Sequence, residues 1–309
     1  MDVTVTGGAG FIGANLCREL VGRPDVGRVI AFDDLSTGRA DNLAGIDGVE
    51  LVDGDICDPR SIGAAVAGAG SIVHLAARPS VPRSLQDPMA SHHANVTGTL
   101  TVLEAARGAH AHLVVASSSS VYGANPRLPK VESLLPQPRS PYAASKLATE
   151  GYALAYRESF DVRSLVFRFF NVYGPLQPAG HAYAAVVPAF VDAALRGLPV
   201  PVHGDGLQTR DFTYVGTVAR VLADAALRRV DHPEPVNLAF GSRVSLLDLI
   251  AELEQVLGST LEVEHQPTRS GDVRDSQADN GLLLRLFPNV DAVPLREGLA
   301  ATVAWFRES

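Results

Sequence analysis

Tyr142 and Lys146 stand four residues apart in the stretch Tyr142-Ala143-Ala144-Ser145-Lys146, a spacing that puts a phenol and an amine on one face of a helix. Pro141, just before them, suits the opening position of such a helix. A phenol with an ordinary pKa of about 10 falls short of being a base at pH 7 by about three units, or about 4 kcal/mol. A neighbouring ammonium narrows that gap by favouring the phenolate. The pair therefore suits removal of a proton from a hydroxyl. Ser118, twenty-four residues before Tyr142, lies in the run Ser117-Ser118-Ser119-Ser120, where a hydroxyl at a strand tip can bridge a substrate oxygen and the phenol. Taken singly, each feature also suits an exposed helix or a solvated serine loop.

A third feature opens the chain. Thr6-Gly7-Gly8-Ala9-Gly10-Phe11-Ile12-Gly13 follows an apolar stretch and precedes a helical one. Gly7, Gly10 and Gly13 at that junction let backbone approach a pyrophosphate whose charge then sits on helix N-terminal amides. The spacing is GxxGxxG rather than GxGxxG. Asp33, twenty residues after Gly13, closes the next apolar run. A carboxylate there accepts from adenosine ribose hydroxyls and repels a 2′-phosphate, which favours NAD over NADP. Asp55, read as the end of a third strand, is placed to meet an adenine. All these features fall in order along one α/β pattern, which makes independent chance readings improbable together.

The elements that must position them read as follows. Short apolar runs at Val3–Thr6, Val29–Phe32, Val49–Val52, Ser71–Leu75 and Leu113–Ala116 alternate with helical stretches, the first from Gly10 to Leu20. Near-continuous rather than alternating hydrophobicity predicts parallel strands covered on both faces. The helices between them predict the right-handed βαβ repeat of a doubly wound α/β sheet, a Rossmann fold. After Pro175, Pro and Gly punctuate the chain more densely, and a smaller C-terminal α/β substrate-binding lobe is expected over 171–309, following a dinucleotide-binding domain over 1–170. Pro235–Ala239 reads as one more strand that returns to the main sheet if the lobes interleave.

Composition narrows the classes. With 309 residues the chain suits one large α/β unit or two fused lobes. A net charge of −8 without any Lys/Arg run argues against nucleic acid or an anionic membrane as partner. Cys17 and Cys57 form no CxxC pair, so neither a metal site nor a disulfide framework is expected; they read as small hydrophobes in a reducing compartment. The first residues show no secretory signal, and no run of eighteen uncharged apolar residues occurs. A cytoplasmic protein is expected.

Assembled, these stretches resemble the extended short-chain dehydrogenase/reductases, specifically the UDP-hexose 4-epimerases. The likeness rests on TGGAGFIG at 6–13, DGDI at 53–56, HLAA at 74–77, NVTGTL at 95–100, SSSSVYG at 117–123, PYAASK at 141–146 and RFFNVYGP at 168–175. It continues through AYAAVVP at 182–188, GDGLQTRDFTYV at 204–215 and RSGDVRDSQAD at 269–279. Ser80–Ser84 and the last motif look closest to UDP-N-acetylhexosamine 4-epimerases.

The resemblance implies that Tyr142 is the base, Lys146 its ribose-binding partner and Ser118 the catalytic hydroxyl. It implies NAD contacts from Gly7, Gly10, Phe11, Ile12, Gly13, Asp33, Asp55, Ile56, Leu75, Ala76, Ala77 and Asn95, besides Tyr142 and Lys146. For the UDP-sugar it implies Arg83, Ser118, Ser119, Ser120, Tyr142, Asn171, Arg210, Arg269, Asp272 and Ser276, the small Ser276 admitting an N-acetyl group. Dehydratases and UDP-glucuronate decarboxylases of the family carry an acid beside the serine position, where this chain has Ser119 and Ser120. A UDP-glucuronate 4-epimerase would want a cation for the carboxylate, which Arg83 could supply. A non-catalytic NAD-binding relative would be expected to lack the tyrosine or the lysine. A homodimer is implied through helices near 89–107 and 142–158.

Overall fold

Strands β1 (Val3–Thr6) and β2 (Val29–Asp33) are buried along their whole length, as their unbroken apolar runs require. They pair in parallel, with Val3 beside Val29. The computed structural model of the chain describes residues 1–179, 184–268 and 274–308. Helix α1 (Phe11–Val21) leads from β1 to β2, and Gly10, read as its first residue, is its cap. Strand β3 (Val49–Asp53) forms one edge of the sheet and is largely exposed. Helix α2 (Pro59–Ala65) then leads to β4 (Ser71–His74), which crosses to the other side of β1.

Short helices α3 (Val81–Gln86) and α4 (Pro88–His92) precede a π-helical turn at His93–Thr97 and α5 (Gly98–Ala109). Strand β5 (His112–Ser118), helix α6 (Pro141–Phe160) and strand β6 (Ser164–Phe169) complete the first half. The finished sheet has seven strands, all parallel. One apolar layer, from α2, α5 and α6, covers one face; α1 and a later helix cover the other.

Beyond residue 170 come β7 (Asn171–Tyr173), α7 (Val186–Leu195), β8 (Val200–His203), β9 (Thr209–Arg210) and β10 (Phe212–Tyr214). The chain then re-enters the sheet. Helix α8 (Val215–Leu227) packs on α1, and β11 (Val236–Leu238) pairs in parallel with β6, Val236 beside Phe167. The boundary at 171 thus does not separate this segment from the sheet. The rest of the chain supplies β12 (Val244–Ser245), α9 (Leu246–Leu257), β13 (Val263–Gln266), α10 (Gly281–Leu286) and α11 (Leu295–Glu308). A separate apolar cluster built on α7, α9, α11, β8 and β10 gives this smaller α/β lobe its own core. Among the described residues no helix is long and apolar enough to cross a membrane.

Candidate active site at the strand tips

The strand order β3-β2-β1-β4-β5-β6-β11 reverses direction between β1 and β4, and in open parallel sheets the crevice at such a reversal, outside the carboxyl ends of the strands, is where ligands bind. The glycine turn, Asp33, the loop after His74 and the serine run all sit at those carboxyl ends.

The glycines divide the work at the β1–α1 junction. Gly7 has φ +70°, and a Cβ on it would lie 2.7 Å from the Ala76 amide nitrogen. A Cβ on Gly13 would lie 2.1 Å from the Gly7 carbonyl oxygen. Both therefore serve close packing of the turn. Gly10 differs: a Cβ there would meet only the Gly7 oxygen, at 3.2 Å. As cap of α1 it offers no side chain to the first-turn amides, so those donors are left for an anion. Phe11 and Ile12 form that first turn.

Asp33 is buried, and its two oxygens accept from the Ala9 amide at 3.0 Å and the Leu35 amide at 2.9 Å. Burial raises its pKa, partly offset by those amides. Asp55 departs from expectation: β3 ends at Asp53, and Asp55 lies in the exposed turn beyond it, accepting from the Cys57 amide at 2.8 Å. Ile56 is buried against Gly98. Leu75, Ala76 and Ala77 run half-buried past the glycine turn, and the Leu75 amide donates to the Thr6 carbonyl.

Asn95 sits in the π-helical turn and is fully engaged by protein. Its side chain accepts from the Arg78 amide at 2.7 Å and donates to Ser145 Oγ at 2.9 Å, while its carbonyl accepts from Thr99 and Thr149 hydroxyls. It ties the loop after β4 to α6. Thr6 and Thr99 hydroxyls likewise bracket the two nitrogens of His74 at 2.7 and 3.0 Å. Burial, then the positive charge of Lys146, pushes that imidazole down to about 3, so it is neutral.

Ser140 caps α6, its hydroxyl accepting from the Ala143 amide, and Pro141 opens the helix. This sets Tyr142 in the first turn and Lys146 one turn on. The Ser118 hydroxyl lies near the Tyr142 phenol. Burial raises the pKa of the phenol, and the Ser118 contact lowers it again in part. Lys146 is buried and donates from Nζ to the Ala116 carbonyl at 2.8 Å. Its desolvation brings its pKa down to about 8, against the pull of Glu150 in the other direction. Near pH 7 the amine is therefore still mostly charged, one helical turn from the phenol, and an ammonium so placed favours the phenolate.

Ser119 and Ser120 form the 3-10 turn after β5. The Ser120 amide donates to Ser118 Oγ at 3.2 Å, while the buried Ser120 hydroxyl oxygen has no partner among the described residues. Arg83 is half-buried on α3. In the smaller lobe, Asn171 opens β7 beside β10, and its amide donates to the Asp211 carbonyl. Arg210 is held by the Thr209 and Arg274 carbonyls, at 2.9 and 3.0 Å. The Ser276 amide donates to the Thr209 carbonyl, which places this small residue beside Arg210 on the lobe. Arg269 and Asp272 lie outside the described residues.

Three groups in this region escaped the motif reading. Asp211 is buried and accepts from the Gly241, Ser242 and Ala278 amides and the Ser242 hydroxyl, at 3.0 to 3.2 Å, clasping three segments of the lobe. Glu150 and Arg168 form a buried ion pair through two hydrogen bonds of 2.8 and 2.9 Å. Glu150 was legible as the third member of a row, Tyr142, Lys146, Glu150, spaced four apart. Arg168 was legible as a charge inside the apolar run Ser164–Phe169.

Comparisons with known proteins point to one family. The model of the NAD dependent epimerase/dehydratase family matches residues 3–239. The UDP-glucose 4-epimerase of Mycolicibacterium smegmatis is 38% identical over 316 residues, covering 99% of each chain. A dTDP-glucose 4,6-dehydratase of Streptomyces griseus is 36% identical, over 98% of this chain and 93% of its own. The solved UDP-N-acetylglucosamine 4-epimerase of Methanobrevibacter ruminantium M1, in complex with UDP-N-acetylmuramic acid, superposes with a TM-score of 0.93 at 33% identity, over 99% of this chain and 98% of its own.

Proposed function

The chain belongs to the NAD dependent epimerase/dehydratase family, and from that membership and the β5–α6 corner we propose that it interconverts the 4-epimers of a UDP-sugar with NAD as its bound cofactor. The carrying observation is the set Ser118, Tyr142 and Lys146 at one strand tip, with hydroxyls rather than an acid at 119 and 120.

The residues present fit the dinucleotide. The uncapped first turn of α1 suits a pyrophosphate, and the Asp33 carboxylate at the end of β2 suits an unphosphorylated ribose. When bound, NAD supplies a hydride acceptor and donor for the sugar's C4. The chain's own residues then handle the proton and the orientation. Tyr142 takes the proton of the 4-hydroxyl, Ser118 holds that oxygen, and the Lys146 ammonium favours the phenolate. The resulting 4-keto sugar turns about its diphosphate linkage while Asn171 and Arg210, with Arg269 and Asp272, hold the UDP, and Tyr142 returns the proton on the other face. Grip on the unreactive UDP keeps the intermediate bound. Elimination would need an acid or base beside Ser118, which Ser119 and Ser120 do not provide.

The small side chain of Ser276 favours acceptance of a 2-acetamido group, so UDP-GlcNAc/UDP-GalNAc is the favoured pair, with UDP-Glc/UDP-Gal also accepted. The lobe over 171–309 takes the sugar nucleotide, with β11 lent back to the sheet. The chain works as a cytoplasmic homodimer: Leu85, Met89 and Tyr152 expose large apolar surface on α3, α4 and α6, and Cys17 and Cys57 are uncrosslinked. Incubation with each UDP-sugar, resolved by proton NMR and mass spectrometry, is expected to yield the 4-epimer at unchanged mass. Loss of water or carbon dioxide would overturn the reading.

A further inference from the structure

Three consecutive residues of β5 face three successive turns of α6. Ser118 lies near Tyr142, the Ala116 carbonyl takes Lys146 Nζ, and the Ser117 hydroxyl donates to Glu150 Oε1 at 2.5 Å. Arg168, directly across from Ser117 on β6, closes on the same carboxylate with two hydrogen bonds. Its third nitrogen donates to the Glu132 carbonyl at 3.1 Å, and its guanidinium stacks 4.7 Å over the Tyr122 ring. Tyr122 is in turn fixed to Asn237 on β11 at 2.6 Å. A carboxylate removed from water in this way is costly unless fully paired, and this one has every oxygen engaged.

We infer that Glu150, held by Arg168 and Ser117, is a positioning residue that keeps Lys146 charged and seated beneath Tyr142. The inference rests on Tyr142 acting as base. The groups facing Lys146 support it. His74 on β4 is neutral and its field opposes nothing. Arg168 on β6 is committed to Glu150. Glu104 and Arg107 on α5 pair with each other and with Tyr156 at the far end of α6. Arg83 on α3 and His92 on α4 are half-buried and exposed. Glu150, one turn beyond Lys146 on the same face of α6 and bound to Ser117 next to the Ala116 carbonyl that takes Lys146, thus sets a buried negative charge one helical turn from that amine and two turns from the phenol. Of the two one-proton states of the Tyr142–Lys146 pair, phenolate with ammonium is the base-competent one, and Glu150 favours it over phenol with free amine.

The test is the pH profile of epimerisation by the NAD-bound enzyme. Glu150→Gln is expected to move the alkaline limb of kcat down by about one unit and so to lower kcat about fivefold at pH 8, with KM for the UDP-sugar held. The double variant Glu150→Gln/Arg168→Met, which removes both buried charges, is expected to fold and to show a shift in the same direction. Ser117→Ala, which deletes one hydroxyl and leaves the ion pair, is expected to give a smaller shift the same way. A wild-type alkaline limb in any folded member of this set, or a raised KM with an unmoved limb, overturns the inference. If Tyr142→Phe retains near-normal turnover, the base assignment fails instead, whatever the Glu150 variants do.

Discussion

The corner made by β5, β6 and α6 and the corner made by residues 203–210, 242–245 and 274–279 are both crowded with charge, yet they are built on opposite terms. In the first, Ser117, Lys146, Glu150 and Arg168 are each no more than 5% exposed, and each has a partner within the protein. In the second, Arg243 and Asp275 meet at 3.6 Å with side chains 54% and 30% exposed, and Arg274 meets Asp205 at 3.0 Å with both facing solvent. A charge in the first corner acts through a poorly screened medium; one in the second is damped by water and salt. On the proposed reading, the difference teaches that groups assigned to the proton are tied to one another inside the protein. Groups assigned to the sugar nucleotide are held mainly through backbone carbonyls and Asp211.

The sharpest break would come at Tyr142. Tyr142→Phe removes only an oxygen, so the fold and the binding of NAD are expected to survive while kcat falls by about 10² to 10⁴. Circular dichroism with a turnover assay checks both halves, and near-normal turnover would remove the first corner from the chemistry. Next in size is Arg168→Ala. It strands Glu150 without its cation, and breaking such a buried pair costs about 3–5 kcal/mol. A urea unfolding midpoint close to wild type would mean that the pair is far better solvated than its burial states.

How much of this was legible follows from the reach of each signal. Tyr142, Lys146, Ser118 and the glycine turn are set by spacings of a few residues within one strand–turn–helix unit, so chain order alone places them. Asp55 was misplaced by two residues because β3 is a short exposed edge with a weak apolar pattern. The Glu150–Arg168 pair needs β5 and β6 in register, which a linear reading cannot supply, although a lone arginine in an apolar strand should have prompted a search for its acid. Asp211 was hidden more deeply, since its donors are mostly backbone amides from residues 241, 242 and 278, which carry no side-chain signature.

Acid sharpens the contrast from the side of the sheet. Burial holds His74 down at about 3 and His112 at about 4, against an ordinary value near 6.5. Both stay neutral in the folded chain and take a proton on unfolding. Their contribution to stability is therefore complete above pH about 6.5 and is lost as the pH falls below it toward the folded values. Between pH 7 and pH 5 the loss is about 2 kcal/mol for each histidine. Urea midpoints at the two pH values measure it. His74→Asn is expected to remove about 2 kcal/mol of that pH difference, and an unchanged difference would mean that His74 is not held neutral.

The smallest expected effect lies in the lobe and is the other half of the comparison. Arg243→Ala deletes a guanidinium that reaches Asp275 at 3.6 Å and Thr209 Oγ1 at 3.4 Å from a half-exposed position. Thr209 keeps its shorter bond to Asp275, 2.6 Å, so the strand pairing beside Arg210 does not depend on Arg243. Exposed pairs of this kind gain little over their separate hydration, and salt screens what remains. The unfolding midpoint is therefore expected to stay within experimental scatter of wild type at both low and high ionic strength. A loss comparable to that of Arg168→Ala would mean that the lobe corner is packed on the same terms as the corner beneath Tyr142, and the contrast between the two would fail.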